Sequence, residues 1–304
     1  MFASTKELLK KAQKGRYAVP HFNINNLETL QGVVQAAVKL KSPVILATSE
    51  GALRYAGMDY LIALVQTAVG STSIPIALHL DHGKDLNVIK KAIRRGYSSV
   101  MIDMSDRSFE ENVFLTRKVV GLAHRRMISV EAELGTIGGA EDFVKAREIE
   151  CTDPGQAKEF VRRTGCDFLA VAIGTSHGAY KFKRKAHLQI GLLKLIRRQV
   201  SVPLVLHGAS GVPKVVVREA EKYGAKLVGV QGVPNSQIKE AINNGIVKIN
   251  TDTDLRLAFD AAVRKVIKTE PDDFDPRHIL GPARDAIQKV AEERIKLFGS
   301  VGRG

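Results

Sequence analysis

Residues that staple or anchor a fold are scarce in this chain. Cysteine occurs twice in 304 residues, as Cys151 and Cys166, and the two form no Cys-x-x-Cys pair. That excludes a disulfide framework and fits a reducing cytoplasm. No apolar run reaches eighteen residues, so no segment is expected to span a membrane. Residues 1–15 lack both an apolar stretch and a small-residue cleavage site, and read as a short amphipathic helix rather than a signal peptide. Low-complexity tracts and close repeats of 20–50 residues are also missing. Acid is short relative to base: 46 Lys and Arg stand against 32 Asp and Glu, a net charge of +14. The basic residues are scattered, as Lys10/Lys11, Lys90/Lys91, Arg94/Arg95, Arg125/Arg126, Arg162/Arg163 and Arg197/Arg198. They carry no interleaved aromatics, so a nucleic-acid partner is not expected. A basic surface would instead steer an anionic substrate inward.

What the chain does have is an alternation. Short β-branched and apolar runs are each followed by a helical pattern. Strands are expected at 18–22, 44–48, 74–80, 99–102, 128–132, 168–173, 203–206 and 246–249. Helices are expected at 27–40, 60–69, 87–95, 109–124, 154–163, 187–198, 215–223 and 254–268. Eight such units imply a parallel sheet closed as a (β/α)8 TIM barrel, with an extra C-terminal helix at 282–297 and one domain over 1–304. An open doubly wound sheet is the alternative, but no Gly-x-Gly-x-x-Gly follows the first strand.

Each expected strand delivers a polar group at its carboxyl end: Asn23, Ser49, Asp81 with His82, Asp103, Glu131 with Glu133, His177, His207, and Asn250 with Asp252. One such residue would be a helix cap. Eight in phase on the face where barrels carry their active sites point to chemistry. Three of the eight histidines stand there. His82, His177 and His207, from three different strands, match three neutral imidazoles around an open fourth position, a catalytic zinc pattern. Asp103, Glu131 and Glu133 would orient these ligands, bind a second cation, or pair with nearby Arg and Lys. His79 shares strand parity with Asp81 and is expected to support the site from inside, while His21, His124, His187 and His278 read as structural or solvated.

Three segments look like anion cradles: 174–178 with Lys181 behind it, 207–211 ahead of a helix, and 250–253 followed by Arg256. Glycine lets backbone N–H groups approach an oxyanion, and helix N-termini favour it. The loops after the seventh and eighth strands are where barrels bind phosphate. Metal and phosphate together suggest a phosphorylated carbonyl substrate.

The runs 80–83 (Leu-Asp-His-Gly), 130–135 (Val-Glu-Ala-Glu-Leu-Gly), 172–181, 206–211 (Leu-His-Gly-Ala-Ser-Gly) and 248–256 (Lys-Ile-Asn-Thr-Asp-Thr-Asp-Leu-Arg) closely resemble class II fructose-bisphosphate aldolases. Segments 20–23, 49–51 and 297–302 also resemble that family, so the likeness runs in order over nearly the whole chain. It implies Zn2+ on His82, His177 and His207, and Asp81 as acid/base at the C4 hydroxyl. It also implies Glu141 as base for the dihydroxyacetone phosphate carbon, on a loop hinged at Gly138-Gly139. Gly178, Lys181, Gly208, Ser210, Asp252 and Thr253 would meet the first phosphate. Asn250 would meet the ketose hydroxyls, Ser49 and Arg256 would face the second phosphate, and Asn23 is a further substrate contact. A monovalent cation (Na+ or K+) near the phosphate is implied as well, and sugar-phosphate substrates with a homodimer or homotetramer are expected; Asp103, Glu131 and Glu133 stay open between orienting the ligands and binding a second divalent cation.

Departures from the family pattern are Lys84, where Ser or Thr is usual, the basic segment 136–154, and Pro20-His21 in place of small residues. A tagatose-bisphosphate aldolase is the nearest rival, but the Asp252–Arg256 segment looks like the fructose branch. A basic barrel that binds nucleic acid would be a rival of another class. A Schiff-base aldolase would need a lysine at a strand end, and Lys248 precedes its motif.

Overall fold

β-Branched and apolar residues fit a pleated, buried surface, and eight of these runs pair side by side. The computed structural model describes residues 2–141, 144–146, 150–177, 187–227 and 229–304, with backbone alone at 138–141, 144–146 and 176–177. Strands in chain order are β1 (Val19–Asn23), β2 (Val44–Ser49), β3 (Ile76–Gly83), β4 (Ser99–Ile102), β5 (Ser129–Leu134), β6 (Gly138–Glu141), β7 (Val144–Ala146), β8 (Phe168–Val171), β9 (Ser176–His177), β10 (Leu204–Leu206) and β11 (Ile246–Thr251). Eight close a parallel barrel in the order β1-β11-β10-β8-β5-β4-β3-β2, and β2 pairs back onto β1. The (β/α)8 expectation matches this architecture.

Helices are α1 (Thr5–Gly15), α2 (Leu27–Lys39), α3 (Glu50–Ala56), α4 (Met58–Gly70), α5 (Leu86–Arg94), α6 (Phe109–His124), α7 (Pro154–Thr164), α8 (Ile190–Gln199), α9 (Lys214–Lys222), α10 (Asn235–Asn243), α11 (Thr253–Thr269) and α12 (Pro276–Leu297). Along β3, Leu78 and Leu80 pack outward under the helices, while Ala77, His79 and Asp81 face the interior. Helix α1 closes the end of the barrel where the strands start. Its Leu8, Leu9 and Ala12 bury against Val19, Ile45, Ala77 and Phe168, which stabilises the closure by roughly 1.5–3 kcal/mol per leucine. The interior is therefore apolar at the bottom and polar at the top, and the top holds the site.

Four features differ from expectation. Helices α3 and α10 were not anticipated: α3 is a single short element capped by Ser49, and α10 carries its buried Ile238, Ala241 and Ile242 in too few turns to stand out. Helix α12 starts at Pro276, six residues before the expected 282, because Asp275 caps it and Pro282 lies inside the helix rather than at its first turn. Finally, β6, β7 and β9 form a small sheet in the order β7-β6-β9. Gly138 and Gly139, read as a hinge, lie within β6, with Gly139 opposite both Ala146 and His177. The pairing of β6 with β9 joins segments distant in the chain and leaves no local pattern.

Candidate metal centre and active site

Asp81 and His82 are consecutive, and a regular strand would send them to opposite faces. The backbone at His82 instead adopts φ +45°, the left-handed region that non-glycine residues rarely occupy. The β3–β4 register shifts between Leu80 and Gly83 at the same point. This irregularity re-aims the imidazole, so both side chains reach the barrel mouth. Gly83 must follow, since a Cβ there would lie 2.6 Å from the Met101 carbonyl oxygen.

His82 Nε2 and His207 Nδ1 face each other at 2.8 Å. Their far nitrogens are both held by buried carboxylates: His82 Nδ1 lies 2.9 Å from Asp103 Oδ2, and His207 Nε2 lies 2.7 Å from Glu131 Oε1. With a ring N–H donated to each carboxylate, the facing nitrogens are the ones that would ligate a cation once the proton between them is displaced. Asp81, His82 and His207 offer ligand atoms all within 4.8 Å of one another, as do His82, Asp103 and Glu133. Burial disfavours charge on His82, but the carboxylates of Asp81, Asp103 and Glu133 outweigh it and hold the ring at about 10. Burial, reinforced by Asp103, pushes Glu133 well above the usual carboxylate range. With His82 so charged, the proton on its Nε2 bridges the 2.8 Å gap to His207 Nδ1, and the same surrounding acids would favour a metal cation in that proton's place. Imidazole nitrogens with carboxylates behind them suit a divalent cation.

Both oxygens of Asp81 are gripped by amides. Asn23 Nδ2 donates to Oδ2 at 2.9 Å and Asn250 Nδ2 to Oδ1 at 3.1 Å. Below them, fully buried Lys248 lies 2.9 Å from Glu131 Oε2 and donates to Asn250 Oδ1 at 2.8 Å. His79 Nδ1 meets Ser99 Oγ at 2.7 Å; burial and then the Lys248 charge keep its ring neutral.

Beside this centre, the loop after β10 is tied to α11. Asp254 Oδ2 accepts from Gly211 N at 3.1 Å, and Oδ1 from Val212 N at 2.7 Å. Buried Arg294 on α12 pairs with Asp254 at 3.2 Å and leaves no room at Gly211, where a Cβ would meet its guanidinium at 2.6 Å. Gly208 (φ +61°) and buried Ser210 lie in this loop, and Asp252 and Thr253 are buried at the start of α11. An open cleft of about 630 Å3 begins at Asn23 and is lined by Ser49, Tyr55, Asp252 and Arg256. Arg256 lies 2.6 Å from Asp252, and Ser49 Oγ caps α3 by accepting from Ala52 N at 3.2 Å.

The barrel thus gathers Asn23, Asp81, His82, Asp103, Glu131, Glu133, His207 and Asn250 at its mouth, with Ser49, Gly208, Ser210, Asp252, Thr253 and Arg256 around it. Gly178 and Lys181 lie outside the described residues. For Glu141 and His177 the backbone alone is described, on neighbouring strands β6 and β9. The structure adds Asp254 and Arg294 to the expected set, and gives Lys248, weighed in the sequence only as a Schiff-base lysine, a buried supporting place. Asp254 stands inside the run 248–256, and a charged residue in an otherwise apolar helix or strand pattern is the signal that marks all three.

A closed parallel barrel with paired, carboxylate-backed imidazoles at the strand ends defines a metal-assisted (β/α)8 enzyme. The family model for class-II fructose-bisphosphate aldolase matches residues 3–303, and the chain belongs to that metal-dependent family. It is 50% identical over 300 residues to a fructose-bisphosphate aldolase of Giardia intestinalis, covering 98% of this chain and 93% of that one. Identity is 48% over 305 residues, and coverage 100% of both chains, with the fructose-bisphosphate aldolase of Thermus caldophilus. Among solved structures, the YdjI aldolase of Escherichia coli K12 superposes with a TM-score of 0.81 at 36% identity, covering 100% of this chain and 99% of that one.

Proposed function

We propose that this protein is a zinc-dependent aldolase that reversibly cleaves fructose 1,6-bisphosphate to dihydroxyacetone phosphate and glyceraldehyde 3-phosphate, a step of glycolysis and gluconeogenesis. The observation that carries this reading is the facing pair His82 and His207 beside the doubly gripped carboxylate of Asp81. Zinc held there by His82, His207 and His177 would act as a Lewis acid on the ketose carbonyl. Asp103 and Glu131 hold the two described imidazoles in one tautomer. Asp81 takes the C4 hydroxyl proton as the C3–C4 bond breaks, leaving the aldehyde, and the bonding pair stays on C3. Glu141 then protonates C3, and in the reverse direction removes that proton. Gly178, Lys181, Gly208, Ser210, Asp252 and Thr253 hold the first phosphate, Asn23 and Asn250 meet the sugar, and Ser49 and Arg256 face the second phosphate.

The reading also places a second divalent cation among Asp103, Glu131 and Glu133, and a monovalent cation, Na+ or K+, near the phosphate. It takes residues 1–304 as one domain, the cytoplasm as the compartment, and a homodimer or homotetramer as the assembly. Among the described residues no helix is long and apolar enough to cross a membrane.

An aldol-cleavage assay on fructose and tagatose 1,6-bisphosphates, with and without chelator, tests the reading. Fructose bisphosphate should be preferred, chelation should abolish cleavage, and added zinc should restore it. Full activity in a metal-free preparation, or borohydride trapping of substrate on the chain, would overturn the metal assignment. Equal efficiency on both epimers would overturn the fructose assignment.

Glu141→Gln keeps shape and removes the base. The variant should retain metal and bind dihydroxyacetone phosphate, yet lose exchange of its C3 proton with deuterated solvent by about 10²-fold or more. Near-normal exchange would assign the base elsewhere, with neighbouring Asp142 the first alternative.

A further inference from the structure

Two amides grip Asp81, and an amide can grip a carboxylate only when its nitrogen faces it. Each therefore needs something to fix which way round it sits. For Asn250 this is Lys248, whose ammonium can only donate and which meets the carbonyl Oδ1 at 2.8 Å. For Asn23 it is His21, whose Nε2 lies 3.0 Å from Oδ1. His21 and Asn250 sit opposite each other in the β1–β11 register, so the two arms lie side by side inside the barrel.

His21 was read from the sequence as structural or solvated. It is fully buried, its Nδ1 has no hydrogen-bond partner among the described residues, and its Nε2 is 3.7 Å from Asp81 Oδ2. We infer that His21 is a positioning residue for the proposed acid/base: its Nε2–H fixes the Asn23 amide, and that amide orients the carboxylate of Asp81. The tautomer follows from satisfaction of the polar atoms. Asn23 Oδ1 is an acceptor and must meet an N–H; if the proton sat on Nδ1, the amide would have to turn and present oxygen to the Asp81 carboxylate. With the proton on Nε2, the atom left without a partner among the described residues is a bare acceptor rather than a buried N–H, and orphaned buried N–H groups are the rarer of the two. Burial and the nearby Lys248 charge keep the ring neutral, consistent with a single ring proton.

Among the described residues His21 makes no hydrogen bond to His82 or His207, so its loss should leave metal binding alone and disturb the proton transfer. This role rests on the aldolase reading, and the tests separate the two. His21→Met removes the donor at similar volume. It should lower kcat for fructose 1,6-bisphosphate cleavage about tenfold or more, with KM and bound zinc unchanged within twofold. His21→Gln places an amide nitrogen where Nε2 stood and should recover most of that loss. A kcat within threefold of wild type in His21→Met, or equal losses in Met and Gln, would overturn the role. The tautomer can be read without substrate or metal. Long-range 1H–15N spectra of the apo wild-type protein should show the Nε2–H form for the His21 ring, assigned by its disappearance in His21→Gln. An Nδ1–H form would overturn the inference even if the enzyme cleaves the sugar. If the enzyme does not cleave it, the Nε2–H form still supports the fixed amide and the aldolase reading alone fails. If the Met variant folds poorly, the Gln variant and the tautomer decide.

Discussion

Asp81→Ala should lower fructose 1,6-bisphosphate cleavage by about 10²–10⁴-fold, the usual worth of a positioned acid/base. Bound metal should change little, because the imidazoles of His82 and His207 are oriented by Asp103 and Glu131 rather than by Asp81. The large effect has a structural basis. The Asp81 carboxylate is 4% exposed and fixed at both oxygens by Asn23 and Asn250, so its reach toward a group at the metal centre is set before substrate arrives. Asp81→Asn would keep the shape but set amide against amide, and should be no more active than alanine. Steady-state cleavage and metal content measured on the same preparation check this. A loss under about tenfold would remove Asp81 from the role.

Glu131→Ala should be the most damaging single change to stability among the site residues. Glu131 is fully buried between Lys248 and His207, and its removal leaves the Lys248 ammonium without its carboxylate in the middle of the barrel. Breaking one side of a buried pair costs about 3–5 kcal/mol. For a chain of this size that corresponds to a fall in Tm of roughly 6–20 °C. Metal affinity should fall as well, by about 10–100-fold, since His207 loses the acceptor that fixes its tautomer. Glu131→Gln retains an acceptor for one of the two neighbours and should fall between wild type and alanine. Thermal melts in chelator, followed by zinc titration, separate the two effects. A melt within about 2 °C of wild type with unchanged zinc affinity would show that the Lys248–Glu131–His207 chain matters little.

Much of this site could be read along the chain because its signals are local. Strand and helix differ in period, and a polar residue that ends an apolar run marks the carboxyl end of a strand wherever the strand finally sits. Closure then brings those ends together, which is why His82, His207, Asp81, Asp103, Glu131 and Asn250 could be named as one constellation before any contact was known. The alternation of eight short strands with helices likewise specified the barrel.

What the chain alone left open depends on register and long-range pairing. Asp81 and His82 share one face because the backbone at His82 turns to φ +45° where β3 slips against β4, a matter of how two strands meet. Along the chain Lys248 reads as poorly placed for a Schiff base, and His21 as structural or solvated. Closing β1 onto β11 sets Lys248 opposite Val19 and His21 opposite Asn250, inside the barrel and under Asp81. The pairing of β6 with β9 brings Gly139 opposite His177, far apart in the chain, and sets the Gly138-Gly139 pair within paired backbone. Apolar periodicity fixes which face of an element is buried. Which polar partner a buried lysine or histidine finds is fixed only when the strands close on one another, because a one-residue shift in register would present a different neighbour.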